Sequence, residues 1–116
     1  MAIWTWKQHD TWPPGFAVLE APNEEGVLGP IDLTTAVSVK IVAREKSAKD
    51  PTSPLFKVNV TVVSAPDGRI KYTPLAAHTE TVGELSIEFE IDWGSGRIQT
   101  VPSTGYEAID ITDDLG

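Results

Sequence analysis

The chain has 116 residues, with 9 Lys and Arg against 17 Asp and Glu, and a formal net charge of -8. This length predicts a single domain, residues 1–116, whose core is large enough to fold without covalent staples. Since the sequence contains no cysteine, disulfide scaffolds, thiolate zinc sites and a cysteine nucleophile are excluded. The acidic balance and the scattered basic residues argue against nucleic-acid binding, which depends on clustered Lys and Arg.

The first ten residues, MAIWTWKQHD, lack the basic segment and the apolar run of a signal peptide. No stretch approaches the roughly 20 apolar residues of a membrane-spanning helix. We therefore expect a soluble protein that is not exported by a signal peptide and has no membrane partner.

Short runs rich in Val, Ile and Thr lie between frequent prolines and glycines, a pattern typical of strands. About seven strands are predicted. They span residues 3–7, 16–21, 37–44, 57–64, 69–74, 84–93 and 97–111, the last broken near Pro102 to Gly105. The sequence therefore predicts an all-β fold, an immunoglobulin-like antiparallel β-sandwich of about seven strands with one short crossover helix.

The connections follow from their residue types. Residues 65–68, with Gly68, and residues 94–96, with two glycines, predict tight hairpins. Residues 75–82, LAAHTETV, predict the crossover helix, about two turns long. The charged, proline-bearing stretch 45–54 is interpreted as a mobile loop between strands.

Alternation of apolar and polar residues predicts which strand faces form the core. Three strands contribute: Val37, Val39, Ile41 and Ala43; Val58, Val60 and Val62; Leu85, Ile87, Phe89, Ile91 and Trp93. The opposite faces carry the polar residues of the same strands.

The strand 84–93, ELSIEFEIDW, places Glu84, Glu88, Glu90 and Asp92 on one face. Carboxylates two residues apart on a strand lie roughly 6 to 7 Å apart, within the range of about 5 to 9.5 Å found for glycosidase pairs. A catalytic pair, however, needs carboxyls in two different environments, which a uniform row does not supply. We interpret the row as the solvent face of an antiparallel sheet, with a sugar-cleaving pair and a cation site as the alternatives.

Other candidate catalytic groups are few. His9 is predicted to lie in a turn with Asp10, and His78 at an exposed position on the crossover. No serine has the surroundings of a strained nucleophile turn, so a Ser-His-Asp arrangement is not expected. The tail with Asp110, Asp113 and Asp114 does not follow the ligand spacing of a calcium loop and is interpreted as a fraying acidic terminus. We expect no catalytic residue, no metal site and no cofactor.

The tryptophans near the start are the partner-binding candidates. Trp4 and Trp6 share one face of the first predicted strand, and Trp12 precedes Pro13. One interpretation is that they close one end of the sandwich core. A second is that one stays exposed and anchors a partner protein, and a third is carbohydrate stacking. The strands at 3–7 and 105–111 are further candidates, because strand edges near the termini can exchange a strand with a neighbour.

The order of several motifs resembles a known family. DTWPP follows the first strand, IDLTTA precedes the third, AAHTETVG forms the crossover before ELSIEFEIDW, and GRIQTVPSTGY closes the series. Together they resemble the N-terminal domain of tailed-phage baseplate upper proteins and, equally, the immunoglobulin-like minor tail proteins of phages of actinobacteria. The resemblance extends from about Ile3 to Ile111.

The resemblance implies a virion structural protein without catalytic residues. It places Asp10 and Thr11 in the turn after the first strand, Gly83 at the start of the long strand and Gly105-Tyr106 at the start of the last. Baseplate upper proteins continue into a linker and a trimerising region, whereas this sequence ends at Gly116, so a stand-alone adaptor, neck or decoration subunit is expected.

We therefore expect a non-enzymatic component of a bacteriophage virion, assembled in the host cytoplasm. The expected role is a tail or baseplate adaptor, or minor tail protein, that docks between neighbouring subunits. Its expected partners are other virion structural proteins in a symmetric homo- or hetero-oligomeric assembly. The alternatives are a head decoration or head-to-tail connector protein and, from a different class, a carbohydrate-binding module that recognises the host surface.

Overall fold

A computed structural model of the chain describes residues 2–45, 55–102 and 107–113. These residues form an all-β sandwich with one short helical turn, so the predicted fold class is confirmed. The strands are β1 (Ala2–Lys7), β2 (Gly15–Val18), β3 (Glu20–Pro22), β4 (Leu28–Pro30), β5 (Ser38–Glu45), β6 (Phe56–Asn59), β7 (Thr61–Ser64), β8 (Arg69–Tyr72), β9 (Gly83–Gly94), β10 (Arg97–Val101) and β11 (Glu107–Thr112).

The larger sheet has the strand order β1-β11-β9-β5-β6, with β10 also paired to β9. β9 is central: β5 lies along one side, while β11 and β10 follow each other along the other. β10 ends at Val101, before the interruption predicted at Pro102 to Gly105, and residues 103–106 of that interruption lie outside the described residues. The smaller sheet has the order β2-β8-β7, and β3 and β4 form a separate hairpin.

The chain passes from one sheet to the other at Val60. The single strand predicted at 57–64 is two strands, β6 paired to β5 in the larger sheet and β7 paired to β8 in the smaller. Between them the Val60 backbone N–H donates a hydrogen bond of 3.0 Å to the Val39 carbonyl. Similarly, the strand predicted at 16–21 divides into β2 and β3 on either side of the buried Leu19.

Both predicted hairpins are confirmed, and each depends on positive φ. Gly68 has φ 67°, and a Cβ there would lie 2.7 Å from the Ile31 carbonyl oxygen, so space as well as conformation requires glycine. In the second hairpin Ser95 and Gly96 have φ 55° and 78°. Two consecutive positive values are those of a type I′ turn, whose twist matches that of the flanking strands.

The core lies between the sheets and follows the predicted faces with two exceptions. Val39, Ile41 and Ala43 are buried, as is the apolar face of β9 from Leu85 to Ile91, and Trp93 packs against the same cluster. Val37 was assigned wrongly to the core: it is 69% exposed, because it precedes β5. Val62 is also exposed, because β7 has turned into the smaller sheet and forms one of its edges.

Three features differ from the prediction. The crossover is a single 3₁₀ turn at Ala76–Thr79 rather than two helical turns. β4, which was not predicted, has the sequence LGP, and both glycine and proline are unfavourable in strands. The pairing of β1 with β11 is parallel, so the larger sheet is mixed rather than purely antiparallel.

No helix in the described ranges has the length and apolarity needed to cross a membrane. The predicted loop at 45–54 lies, after residue 45, outside the described residues. So do Asp114 of the acidic tail and Gly105-Tyr106, the predicted start of the last strand.

Candidate functional site

The acidic row of β9 lies on the outer face of the larger sheet, as predicted. Its members are half-buried rather than fully solvated, because the strands on both sides of β9 crowd the central strand. On the neighbouring strand β5, Lys40 lies opposite Glu90. On β6, Lys57 Nζ lies 3.0 Å from Glu90 Oε1. The carboxylates are thus interleaved with basic neighbours on the adjacent strands.

Among the described residues, neither histidine side chain is hydrogen-bonded to a serine. His9 lies in an exposed turn with φ 69°, and its neighbour Asp10 accepts a hydrogen bond from the Lys7 backbone N–H at 3.1 Å, as predicted for that turn. Among residues 2–45, 55–102 and 107–113, no three or more His, Asp or Glu side chains are grouped so that they could hold a metal ion.

His78 is buried, so the prediction of an exposed position is wrong. Its side chain is only 8% exposed and stacks on Phe56, with ring centroids 4.2 Å apart. Burial lowers the pKa of His78 below its ordinary value of 6.5. The crossover is a short 3₁₀ turn, and the side of that turn with His78 and Thr79 is buried.

The structure separates the three candidate tryptophans into two groups. Trp6 is 4% exposed in the core, where its indole N–H donates a 2.8 Å hydrogen bond to the Pro13 carbonyl. Trp4 is half-buried against the core, 5.6 Å from Trp6 between ring centroids. Trp12 is 71% exposed. Of the three, Trp12 has the exposure that a partner-binding anchor needs.

Trp4, on β1 of the larger sheet, contacts β2 of the smaller sheet. Its ring lies over Gly15, where a Cβ would overlap the indole Cε2 atom. Its indole N–H donates a hydrogen bond of 3.2 Å to the Phe16 carbonyl. The lack of a side chain at Gly15 therefore lets β1 of the larger sheet approach β2 of the smaller.

Beyond this junction the sheets diverge and leave a cleft of about 570 Å³. Buried apolar side chains form its floor, namely Leu19, Phe89 and Val101. Exposed apolar side chains form its rim, namely Ile3, Phe16, Val18 and Leu28. Two carboxylates, Glu20 and Glu107, also line it. Its volume falls among the roughly 300 to 1,000 Å³ of ligand-binding pockets.

Ile3 reaches the cleft because of an irregularity in the pairing of β1. The register with β11 shifts between Ala2 and Trp4, which leaves Ile3 without a partner residue on β11. A bulge of this kind redirects the side chain of the extra residue. Ile3 consequently lies on the cleft wall while Trp4 and Trp6 keep their places against the core.

The other wall is the edge of β2 that faces away from β8, called the free edge here because no strand in the described part of the chain pairs with it. Leu19 donates its backbone N–H to the Gly68 carbonyl at 2.8 Å, on the β8 side. Backbone groups of successive residues in an antiparallel strand point to opposite sides, so those of Phe16 and Val18 point away from β8. The Trp4 bond to the Phe16 carbonyl agrees with this direction. Among the described strands β2 pairs with β8 alone.

The site can bind apolar side chains and can also hydrogen-bond an extended backbone. Phe16, 62% exposed, and Val18 were not singled out from the sequence. The signal was present, because both occupy the same face of the predicted strand 16–21, but alternation alone did not reveal that this face lies outside the core. Comparison of the chain with models of known protein families and with curated protein sequences finds no match.

Proposed function

We propose that the protein is a non-enzymatic structural component of a bacteriophage virion, a tail or baseplate adaptor that holds neighbouring subunits together. The observation that carries the proposal is the open cleft, with its exposed Phe16, Val18 and Leu28 beside the free edge of β2. A contiguous exposed apolar surface of this kind is typical of protein–protein contact sites.

Two further observations support the proposal. The motif order from DTWPP to GRIQTVPSTGY resembles that of virion β-sandwich proteins. Among the described strands, β6 is the terminal strand of the larger sheet at the end opposite β1, so one copy offers a further sheet edge for a second neighbour. The proposed partners are other virion structural proteins in a symmetric assembly.

The test is to count copies of the chain in purified particles by quantitative mass spectrometry. The variant is Phe16→Ser, and the matched control is Val63→Ser, an exposed apolar residue on β7 at the other edge of the smaller sheet. The folding of both variants is first checked by circular dichroism. We expect the control at wild-type copy number and Phe16→Ser strongly depleted. Absence of the wild-type chain from particles would overturn the proposal.

The head decoration or connector role shares this fold and differs in its neighbours, so immunogold labelling of particles distinguishes it from the tail role. A carbohydrate-binding module is favoured by one observation, the exposure of Trp12. A glycan array separates this alternative: binding that is abolished by Trp12→Ser and kept by Phe16→Ser would favour carbohydrate recognition over assembly.

A further inference from the structure

We propose that the cleft accepts an extended segment of a partner protein, which adds to the free edge of β2 as a strand, directs alternate apolar side chains inward and places a basic residue at Glu20 and Glu107. This inference rests on the proposed assembly function and specifies the chemistry of the partner.

The strand form follows from the backbone of β2. Along β2, both backbone groups of Val18 and the N–H of Phe16 point away from β8, on the edge that borders the cleft, while the Phe16 carbonyl is already bound by Trp4. Strand addition to an open edge satisfies such groups with main-chain hydrogen bonds. A compact apolar ligand would fill the volume and leave them unpaired.

The alternation follows from the floor. Leu19, Phe89 and Val101 present only buried apolar surface to the cleft. Since successive side chains of a strand point to opposite faces, every second residue of the incoming segment meets this floor. Those residues are expected to be apolar, and the residues between them face solvent beside Phe16 and Val18.

The charge of the partner follows from the acids. Glu20 and Glu107 line the cleft. On β8, the basic residues Arg69 and Lys71 lie opposite Val18 and Phe16 in the strand register, and neither lines the cleft. Each copy of this chain carries a net charge of -8, so pairing of two copies through β2 would bring like charges together. The charge complement of the cleft is a basic-ended segment of a different chain.

The test uses synthetic peptides of about eight residues with the purified, full-length protein. In the probe peptide valine alternates with threonine, and arginine stands at both ends. One control peptide carries glutamate in place of arginine, and another carries N-methyl groups on alternate backbone nitrogens. Binding is followed by the backbone amide signals of the protein in nuclear magnetic resonance.

We expect the largest shifts caused by the arginine peptide at the amide signals of Phe16 and Val18. We also expect the affinity of this peptide to decrease as salt is added. Glu20→Gln and Glu107→Gln are each expected to weaken it by about two- to fivefold, the range for exposed ion pairs. Phe16→Ser should reduce binding further, and Val63→Ser should leave it unchanged. Both control peptides should bind less tightly than the probe.

Three results would overturn the inference: no shift at Phe16 and Val18 at millimolar probe peptide, equal binding of the N-methylated peptide, or a concentration-dependent dimer of the protein that forms through β2. Presence of the chain in particles together with failure of the peptide test would overturn the strand addition alone. Absence from particles together with specific peptide binding would overturn the virion role and leave the cleft chemistry in place.

Discussion

The hydroxyl of Tyr72 donates a 2.6 Å hydrogen bond to Nδ1 of His78 in the core, and the backbone N–H of Leu75 donates to the same nitrogen at 3.3 Å. An amide N–H can only donate, so Nδ1 is an acceptor, and the proton of the neutral ring is on Nε2. Phe56 stacks on both rings, with its centroid 4.2 Å from that of His78 and 6.0 Å from that of Tyr72. The crossover is thus fixed to the core by a neutral histidine.

This arrangement predicts an acid-sensitive stability. Burial lowers the pKa of His78 below 6.5, so at pH values beneath 6.5 the unfolded chain binds more protons than the folded one. The stability is complete above about pH 6.5 and decreases as the pH falls through the folded-state pKa, by at most about 1.4 kcal/mol per pH unit. Urea unfolding between about pH 5 and pH 8 measures the slope.

His78→Gln should remove that part of the slope, since no titrating ring remains, whereas His9→Asn, at an exposed turn position, should keep it. An unchanged slope in His78→Gln would contradict the assignment.

The buried hydroxyl of Tyr72 predicts a loss of stability at alkaline pH. Burial raises the pKa of its hydroxyl above the ordinary 10.0, so above about pH 10 the unfolded chain loses a proton that the folded chain keeps. Stability is therefore expected to decrease as the pH rises beyond 10. Tyr72→Phe should be less stable at neutral pH but should lack this alkaline decrease, and a decrease of the same size in that variant would refute the role of Tyr72.

Gly15→Ala is expected to be destabilising. The added Cβ would overlap the indole of Trp4, and this ring cannot retreat easily because it packs near Trp6, Tyr72 and Phe89. Overpacking of this kind costs about 1 to 3 kcal/mol. Gly29→Ala is the matched control, since a Cβ there has no atom within 4 Å. Equal free energies of unfolding for the two variants would show that the approach of Trp4 to Gly15 is not required.

Replacing the buried Trp6 should lower the free energy of unfolding more than replacing the exposed Trp12. Trp6→Phe removes the indole N–H that is bonded to the Pro13 carbonyl and shortens a side chain that is buried in the core, at an expected cost of about 1 to 3 kcal/mol. Trp12→Ser, at an exposed position, should change the free energy of unfolding by less than about 0.5 kcal/mol. Chemical denaturation tests both, and a large loss for Trp12→Ser would assign it to the core instead.

The two faces of the larger sheet can be tested in the same way. Phe89→Ala on the buried face of β9 should cost about 3 to 5 kcal/mol, through lost transfer energy and a cavity. Ile98→Ala, on the neighbouring β10 at an exposed position, should cost less than about 1 kcal/mol. Similar losses for both would mean that β9 does not present Phe89 to the core.

Local patterns in the sequence were sufficient to predict much of the fold. The period of two in β9 gave its buried face, and Gly68 and Gly96 gave the hairpins, because these features depend on neighbouring residues alone. The change of sheet at Val60 was not predictable in this way, since an apolar run reads the same in either sheet. The burial of His78 depended on the distant Phe56, which no local pattern includes.

The candidate site was less accessible to prediction than the fold. Its floor residues were recognisable as core, but the cleft is lined by residues of β1, β2, β4, β9, β10 and β11, and this is a relation between elements far apart in the chain. The bulge at Ile3 likewise depends on the parallel pairing of β1 with β11. Trp12 is exposed, as one of the three interpretations of the tryptophans requires, and its partner role stays a prediction.

The parallel pairing of β1 and β11 also determines how the molecule responds to tension. Because both strands run in the same direction, a load applied at Ala2 and at Thr112 pulls them past each other along their length. The hydrogen bonds of the ladder then resist together, in shear, whereas an antiparallel hairpin pulled at its open end separates one bond at a time. A domain loaded at these two positions would keep its fold under forces that unzip an antiparallel hairpin of the same length.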